Sequence, residues 1–328
     1  MVRIHKEGPM NMKKYNRKAA GIDTGKDKLD IAIHGSNDLL EVANDGAGHE
    51  QLIEWLGGRK VKRIGIEASG GYERAATAAL RLANVQVIVF QPKQVRCFAG
   101  FKLQRAKNDR IDAALIAKCA AFCEAIREAP DPRLQDLAEA LTLIDQLTED
   151  MARWKIRLES VQRAEQRGVI EDEIKRLTGI ITTERARLLR AVKSHKDLAR
   201  RYSLIESVQG IGLPTALTLL IRMPELGCLT REQVAALAGL APYDHDTGRF
   251  KGQRRIAGGR GRVRKALYAA AFPAAYRWNP HLIALYQRLI ESKKTHKQAL
   301  IACARKLLVM VNAVVARGTP WVKTETAI

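Results

Sequence analysis

The sequence has few cysteines and no continuous run of 18 apolar residues, and each shortage excludes a class of protein. The five cysteines are scattered and form no Cys-x-x-Cys pair, so neither a disulfide framework nor a structural zinc site is predicted. We interpret them as reduced thiols of a cytoplasmic protein. Because no long apolar run is present, no membrane span is predicted either.

Acidic residues are scarce as well. The chain carries 35 Asp and Glu against 56 Lys and Arg, which gives a net charge of +21 at pH 7. Such an excess favours a phosphate-rich partner, because Lys and Arg neutralise phosphates and release their counterions. Nucleic acid is therefore the leading partner, with the protein expected in the cytoplasm near the nucleoid. An anionic membrane surface is the competing interpretation.

Three regions follow a short basic segment. Residues 1–18 lack the apolar core of a secretory signal, so they are predicted to be a disordered basic arm. Between residues 19 and 130, strand patterns alternate with helix patterns, which is typical of an α/β domain with a mixed sheet. Predicted strands cover residues 20–23, 29–34, 63–67 and 85–90, and predicted helices cover residues 50–56, 72–83 and 109–125.

Glycine and proline are nearly absent from about residue 133 to residue 200. Apolar residues recur there at helical spacing, which predicts two long helices with the break near Gly168 or Gly179. We assign residues 131–200 to a coiled coil or helical hairpin used in self-association. An intramolecular helical spacer is the alternative.

Residues 201–328 are predicted to be mostly helical. Near the start of this region, Gly210 and Gly212 flank one apolar residue between two helices, as in a helix-hairpin-helix turn. Such a turn exposes backbone N–H groups that bind phosphate, although a purely structural turn fits the same pattern.

Four carboxylates have the order expected of a two-metal nuclease. Asp23 and Glu67 are predicted to lie at strand ends, and Asp109 and Asp112 are three residues apart on one helix face. Several anionic oxygens are what Mg²⁺ requires, and two such ions stabilise the attacking and leaving oxygens of a phosphodiester. An N-cap role for Asp109 and a surface ion pair for Asp112 are the alternatives. The neighbouring Asp27 and Asp30 are interpreted as non-ligands.

Basic residues are concentrated between residues 249 and 265, where eight of seventeen positions are Lys or Arg and none is acidic. Four glycines in this segment let the backbone approach a ligand closely, so we predict a loop that clamps a nucleic-acid backbone. The predicted nucleic-acid contacts are Arg249, Lys251, Arg254, Arg255, Arg260, Arg262, Arg264 and Lys265, together with Arg105, Lys107, Gly210 and Gly212.

A hydroxyl group precedes this basic segment. Thr247, followed by glycine and a dense set of cations, is a candidate nucleophile toward phosphorus, although threonine before glycine is most often a turn residue. His245 is a weaker candidate for a general base. Tyr276 and Trp278 fit either stacking on bases or packing in the domain.

Motifs along nearly the whole chain resemble the DEDD-type insertion-sequence transposases, also described as bridge-RNA-guided recombinases. The resemblance covers about residues 19–320 and lies in residues 21–30, 66–72, 107–113, 208–212, 237–242, 255–260 and 264–268. It implies a RuvC-like, RNase H-type α/β domain, a coiled-coil middle and a mostly α-helical C-terminal transposase domain.

The resemblance also implies roles for particular residues. The four acidic residues that bind Mg²⁺ in the family fall on Asp23, Glu67, Asp109 and Asp112. The family's serine, which becomes joined to DNA, is replaced here by Thr247. The family builds its sites across subunits, which implies at least a dimer and a tetramer on paired DNA.

The leading hypothesis is a site-specific DNA recombinase that excises and inserts its own element under the direction of an element-encoded RNA. The alternatives are a structure-specific metal nuclease of the Holliday-junction type and a degenerate transposase that only binds nucleic acid.

Overall fold

The computed structural model describes residues 18–103, 109–123, 131–244, 252 and 254–322, with the side chains of Asp109 and Arg110 left aside. The basic arm expected at residues 1–18 therefore lies almost wholly outside the described residues. By its contacts, the chain divides into two compact units, residues 1–129 and 130–328. Each is described by itself.

The N-terminal unit contains a five-stranded mixed sheet with strand order β3-β2-β1-β4-β5. Strand β2 is antiparallel to its neighbours β1 and β3, whereas β4 is parallel to its neighbours β1 and β5. This arrangement confirms the expected mixed α/β domain and is compatible with an RNase H-like fold. The strands are β1 (Ala20–Thr24), β2 (Lys28–Ile33), β3 (Leu39–Ala43), β4 (Arg63–Glu67) and β5 (Gln86–Phe90). The helices are α1 (Gly46–Gly58), α2 (Glu73–Leu82), α3 (Pro92–Phe101) and α4 (Asp109–Phe122).

The sheet is buried on both faces, which explains why its strands are rich in apolar residues. On one face, Ile22, Ile64 and Leu29 belong to a core shared with α1 and α2. On the other face, Ile88 and Phe90 pack with residues of α3 and α4. Strand β3 and helix α3 were not predicted. Strand β3 is an edge strand with mostly exposed side chains.

The C-terminal unit is almost entirely helical. It starts with a hairpin of two long helices, α5 (Pro132–Ser160) and α6 (Ala164–Lys193), which confirms the expected pair of long helices. The predicted position of the break between the two helices is wrong. The break lies at residues 161–163, and Gly168 and Gly179 are inside α6. An exposed glycine is tolerated within a helix this long, so its presence did not mark an end. Self-association through the hairpin stays a prediction.

The remaining elements are helices that form one core with the base of the hairpin, and two short strands that pair in a separate sheet. They are α7 (Lys196–Glu206), α8 (Leu213–Arg222), α9 (Arg231–Ala238), β6 (Pro242–Tyr243), β7 (Arg255–Ile256), α10 (Gly261–Pro273), a π-helical turn (Ala274–Trp278), α11 (Pro280–Glu291) and α12 (His296–Arg317).

Helix α12 is the longest helix of this unit outside the α5–α6 hairpin. By length and composition it is the one helix among the described residues that could cross a membrane, although 56% of its most apolar stretch is buried inside the unit. Leu300, Leu307 and Val311 on its inner face are completely buried. Core helices pass the same length test, so this observation is weak support for a membrane span.

Candidate active site

The strand register brings Asp23 and Glu67 to the same edge of the sheet. Strands β1 and β4 are parallel, with Ile22 opposite Ile66, so the next residues along the two strands are Asp23 and Glu67. Successive side chains on a strand point to opposite faces. Both carboxylates therefore lie on the face opposite Ile22 and Ile66, which is the face that α4 covers.

Helix α4 runs antiparallel to β1 and β4. At its C-terminal end, the Cys123 carbonyl accepts a hydrogen bond from the Arg63 guanidinium, and Arg63 is the first residue of β4. In the same region the Phe122 ring lies 6.3 Å from the ring of His34. The backbone N–H of His34 donates to the carbonyl of Ala19, the residue just before β1. The N-terminal end of α4 must therefore lie toward the edge where β1 and β4 end.

The two remaining predicted acidic residues are in the first turn of α4. Asp109 is the first residue of the helix, and Asp112 precedes the sheet-facing Ile116 by four residues. Since residues four apart share a helix face, Asp112 continues the stripe that faces the sheet. Asp23, Glu67 and Asp112 thus lie toward the same edge of the unit. The Asp109 side chain lies outside the described residues.

Two glycines allow α4 to sit directly on the strands. A Cβ on Gly21 would collide with the backbone of Ala113 and Ala117, and one on Gly65 would lie 3.0 Å from the side chains of Ile116 and Ala120. Glycine inside a strand is a known sign of close backbone approach. These glycines each lie two residues before a carboxylate, so the sequence contained a signal for this contact that the sequence analysis did not use.

The loops at this edge are tied together by one asparagine. The Asn44 side-chain amide donates to the Gly25 carbonyl at 3.0 Å and to the Tyr72 carbonyl at 3.1 Å. Its oxygen lies 2.9 Å from Nε2 of His49, a buried ring whose pKa is lowered by burial despite the opposing effect of Asp45. Asn44 therefore links the turn after Asp23 to the loop after Glu67, and the sequence analysis missed it.

Two other acidic side chains at this edge already have structural partners. Asp30 is the cross-strand neighbour of Asp23, and its carboxylate lies 2.9 Å from Nζ of Lys28. Glu73 accepts hydrogen bonds from the N–H groups of Ser69 at 3.0 Å and Gly71 at 2.9 Å. These contacts give the carboxylates of Asp30 and Glu73 a structural role that needs no metal, and the interpretation of Asp30 as a non-ligand stays a prediction.

The donor set suits a hard cation, but the described side chains do not form a finished ion site. Among the residues whose side chains the structure describes, no three His, Cys, Asp or Glu side chains lie close enough to hold a metal. Cys119 lies on α4 near Glu67, and burial raises the pKa of its thiol to about 12. It therefore stays a neutral core residue at physiological pH.

The basic segment of the C-terminal unit differs from the predicted adaptable loop. Helix α10 begins at Gly261, so the last five residues of the segment are helical. The glycines also have a packing role. A Cβ on Gly259 would collide with the backbone of Gly239, and one on Gly239 would collide with the backbone of Gly258. Gly259 thus serves packing against the end of α9.

Several cations of this segment have partners within the chain. Arg260 forms a bidentate pair with Glu225 at 2.7 and 2.6 Å, and it also donates to the Arg222 carbonyl. Arg264 donates to the Gly258 carbonyl at 2.6 Å. Both side chains therefore bond to the backbone of this unit, and their predicted contact with nucleic acid stays a prediction.

The other predicted cations are more exposed or lie outside the described residues. Arg262 is 3.3 Å from Asp145, Lys265 is 3.0 Å from Glu149, and Arg254 pairs with Asp244. Arg255 lies exposed in β7. Of the remaining predicted site residues, Arg105, Lys107, Thr247, Arg249 and Lys251 lie outside the described residues, as does His245.

The turn with two glycines exists between α7 and α8. Gly210 has φ of 100°, and a Cβ there would lie 2.5 Å from the Ala274 side chain. The adjacent Gln209 carbonyl accepts a hydrogen bond from Asn279. Gly210 therefore has a packing role, whereas Gly212 is the exposed N-cap of α8.

Two family models match successive parts of the chain. A family model described as "Transposase", of the IS110 DEDD type, matches residues 20–163, and a second, described as "Transposase IS116/IS110/IS902 family", matches residues 202–287. The first match covers all the predicted carboxylates. The second covers the two-glycine turn and the basic segment.

Curated relatives extend over most of the chain. Pilin gene-inverting proteins of Moraxella bovis and Moraxella lacunata are each 26% identical over 319 residues, covering 92% of this chain and 97% of their own. An uncharacterised 43.6 kDa protein of insertion element IS110 from Streptomyces coelicolor is 30% identical over 118 residues, or 35% of this chain and 29% of its own. Taken with the two family matches, these relatives place the chain in the IS110 family of DEDD transposases, which are DNA recombinase enzymes.

Proposed function

We propose that this chain is a Mg²⁺-dependent, site-specific recombinase that excises and inserts its own mobile element, guided by an element-encoded RNA. The observation that supports it most is the convergence of Asp23, Glu67 and Asp112 at one edge of an RNase H-like, RuvC-like sheet. Relatives named for inverting a pilin gene support recombination between two sites of one DNA molecule.

The carboxylates would hold the metal. Asp23 and Glu67 lie on adjacent strands, and Asp109 and Asp112 are in the first turn of α4. Bound there, Mg²⁺ would supply Lewis-acid stabilisation of charge on a DNA phosphate. Because α4 packs on the strands through glycine, small movements of its first turn change the separation of the carboxylates. Asp109 completes the proposed set.

Thr247 is the proposed nucleophile. Its hydroxyl oxygen would form a bond to phosphorus while the bond from phosphorus to one deoxyribose oxygen breaks. The threonine proton ends on the departing strand hydroxyl. Attack by the hydroxyl of another strand end on this phosphothreonine then restores Thr247 and joins the new strands. The threonine methyl group restricts χ1, so the reaction is expected to be slower than with serine.

The remaining parts of the chain would organise the nucleic acids. The excess positive charge and the exposed Arg254, Arg255, Arg262 and Lys265 suit contacts with DNA and RNA phosphates. The α5–α6 hairpin is the proposed element of self-association, giving a dimer and, on paired DNA, a tetramer. We place this activity in the cytoplasm at the nucleoid.

The experiment is an adduct assay. Purified protein, RNA transcribed from the flanks of the element, labelled DNA and Mg²⁺ are incubated, and protein–DNA adducts stable to denaturant are resolved on gels. Asp23→Asn should reduce adduct formation by roughly 10³-fold, because several kcal/mol of metal-derived stabilisation is lost. Thr247→Ala should abolish the adduct, and Thr247→Ser should increase its rate.

Asp27→Asn is the matched control, since it removes the same charge from an exposed position at the same edge of the sheet. It should leave adduct formation unchanged. If Thr247→Ala forms as much adduct as the native chain, the nucleophile is wrong. Cleavage that needs Mg²⁺ but never gives an adduct would instead indicate a nuclease that uses water.

A further inference from the structure

An exposed cluster of rings lies on the C-terminal unit and begins seven residues after the end of the basic segment. It consists of Phe272, Tyr276, Tyr286 and His296, and we call it the aromatic patch. Phe272 and Tyr276 are one turn apart at the end of α10 and in the π-helical turn, and each is 51% exposed. Large apolar rings at this exposure are not explained by core packing.

The rings form a continuous surface. The centroids of Phe272 and Tyr276 are 5.3 Å apart, and those of Tyr276 and Tyr286 are 5.0 Å apart. The His296 ring adjoins all three, at 5.8 to 6.4 Å. Three different helical segments and the start of α12 thus contribute to one patch.

Hydrogen bonds hold the rings in place. The Tyr276 hydroxyl donates to the Tyr286 oxygen at 2.7 Å, and the Tyr286 oxygen lies 2.8 Å from Nδ1 of His296. The Tyr276 hydroxyl raises the pKa of Tyr286 to about 12, so this phenol carries no negative charge near neutral pH. A fixed, uncharged ring surface loses little conformational freedom when a planar ligand stacks on it.

Cations are frequent in the part of the sequence that contributes to the aromatic patch. The turn before His296 carries Lys293 and Lys294, and Lys297 follows it, all of them exposed. From Tyr276 to Lys306 the sequence has one acidic residue, Glu291, and seven Lys or Arg residues: Arg277, Arg288, Lys293, Lys294, Lys297, Arg305 and Lys306. Rings bordered by cations match the chemistry of an unpaired nucleotide, which presents a flat base and a phosphate.

We propose that the aromatic patch binds unpaired nucleotides of a single-stranded nucleic acid, with bases stacked on Phe272 and Tyr276 and phosphates beside Lys293, Lys294 and Lys297. The proposal takes nucleic acid as the partner from the proposed function, but it concerns binding and not cleavage. Strands opened during recombination and loops of a guide RNA both offer this chemistry.

Binding is measured by fluorescence anisotropy with labelled 12-residue strands of oligo-dT, oligo-U and an abasic deoxyribose-phosphate backbone of the same charge. The buffer contains EDTA, so the result does not depend on strand cleavage. The double variant Phe272→Leu/Tyr276→Leu keeps apolar side chains but removes two rings. Its dissociation constant for the base-bearing strands should rise about 10-fold, with little change for the abasic strand.

Tyr276→Phe separates stacking from damage to the fold. It keeps the ring and should bind within about twofold of the native chain, because the ring face supplies the stacking. Lys293→Ala/Lys294→Ala should weaken all three strands and make binding less dependent on salt. Lys155→Ala/Lys175→Ala, which removes the same charge from exposed positions on the hairpin, should have a smaller effect.

Two results would overturn the proposal. One is a Phe272→Leu/Tyr276→Leu variant with native affinity for oligo-dT and oligo-U. The other is an equal loss for base-bearing and abasic strands, which would mean that the surface attracts charge and does not stack bases. A preference for oligo-U or oligo-dT in the native chain, lost in the ring variant, supports the proposal and tells whether RNA or DNA is the ligand.

Discussion

The two units of this chain use charged residues in opposite ways. In the N-terminal unit, Asp23 and Glu67 are fixed by the hydrogen-bonded register of β1 and β4, so their closeness follows from the backbone. In the C-terminal unit, cations of the basic segment are paired with carboxylates from distant positions, as in Arg260 with Glu225. Backbone geometry therefore gives the acidic residues of the proposed site a shared edge, whereas a count of charges overstates the free positive surface.

The largest expected effect tests the contact that holds the acidic edge together. In Gly21→Ala, the new methyl group would collide with the backbone of α4 at Ala113 and Ala117. Backbone cannot move aside as a flexible side chain does, so the N-terminal unit should lose about 3 kcal/mol of stability. Hydrogen exchange of peptides from β1 and β4, measured in the full chain, gives this free energy.

Gly57→Ala is the matched control. Gly57 is in α1, and a Cβ there would meet no atom within 4 Å. This substitution should stabilise the helix by up to about 1 kcal/mol, since alanine loses less conformational freedom than glycine. Equal effects of the two substitutions would contradict the close seating of α4 on β1.

The next effect concerns how the acidic edge is positioned. Asn44→Ala removes the hydrogen bonds that join the Gly25 and Tyr72 carbonyls. If that link sets the spacing of Asp23 and Glu67, the Mg²⁺ concentration giving half-maximal adduct formation should rise about 10-fold, as when a residue that orients metal ligands is lost.

Asn37→Ala, in the exposed turn between β2 and β3, is the control for loss of an asparagine. It should leave the Mg²⁺ dependence unchanged. An unchanged Mg²⁺ midpoint in a folded Asn44→Ala protein would make Asn44 a structural link with no influence on the proposed metal site.

The shared edge of Asp23 and Glu67 was predictable because strand geometry follows local rules, whereas their role in metal binding stays a prediction. A strand places alternate residues on one face, and parallel neighbours end at the same edge, so the positions of Asp23 and Glu67 follow from their strand patterns alone. The first turn of α4 added Asp112 by helical periodicity. Asn44 was not predictable in this way, because its partners are backbone carbonyls whose positions depend on three separate loops.

The basic segment was harder to interpret for the same reason. Glu225 and Glu149 lie 35 and 116 residues before their partners Arg260 and Lys265. No local pattern indicates such pairs. The glycines misled in a similar manner, since Gly259 approaches Gly239 of the same chain. Glycines in a sequence indicate that the backbone approaches another group closely, but only the fold shows whether that group is a ligand or another part of the chain.

A smaller effect separates structural from binding cations. The Arg260 side chain is 31% exposed and donates two hydrogen bonds to Glu225, whereas the Arg254 side chain is 71% exposed. Arg260→Ala should cost the C-terminal unit about 1 kcal/mol, because a charged hydrogen-bonded pair is broken at a partly screened position. Arg254→Ala should change stability by less than about 0.5 kcal/mol and weaken DNA binding more. Urea unfolding and DNA titration check both, and the reverse order would restore Arg260 as a primary phosphate contact.

The smallest expected effect is a dependence of the N-terminal unit on pH. Burial lowers the pKa of His49, so the folded unit holds the ring neutral while the unfolded chain takes up a proton near pH 6.5. The unfolded state then binds more protons, so stability should fall as pH drops below about 6.5 and level off below the pKa of the folded state.

His49→Gln can still bond to Asn44 but does not titrate. Hydrogen exchange of α1 at pH 7.5 and 5.5, corrected for the intrinsic exchange rate, should show a smaller loss of protection in this variant. Equal losses in the two proteins would assign the pH dependence to other groups, of which His34, whose pKa is lowered by burial and by Lys118, is the next to test.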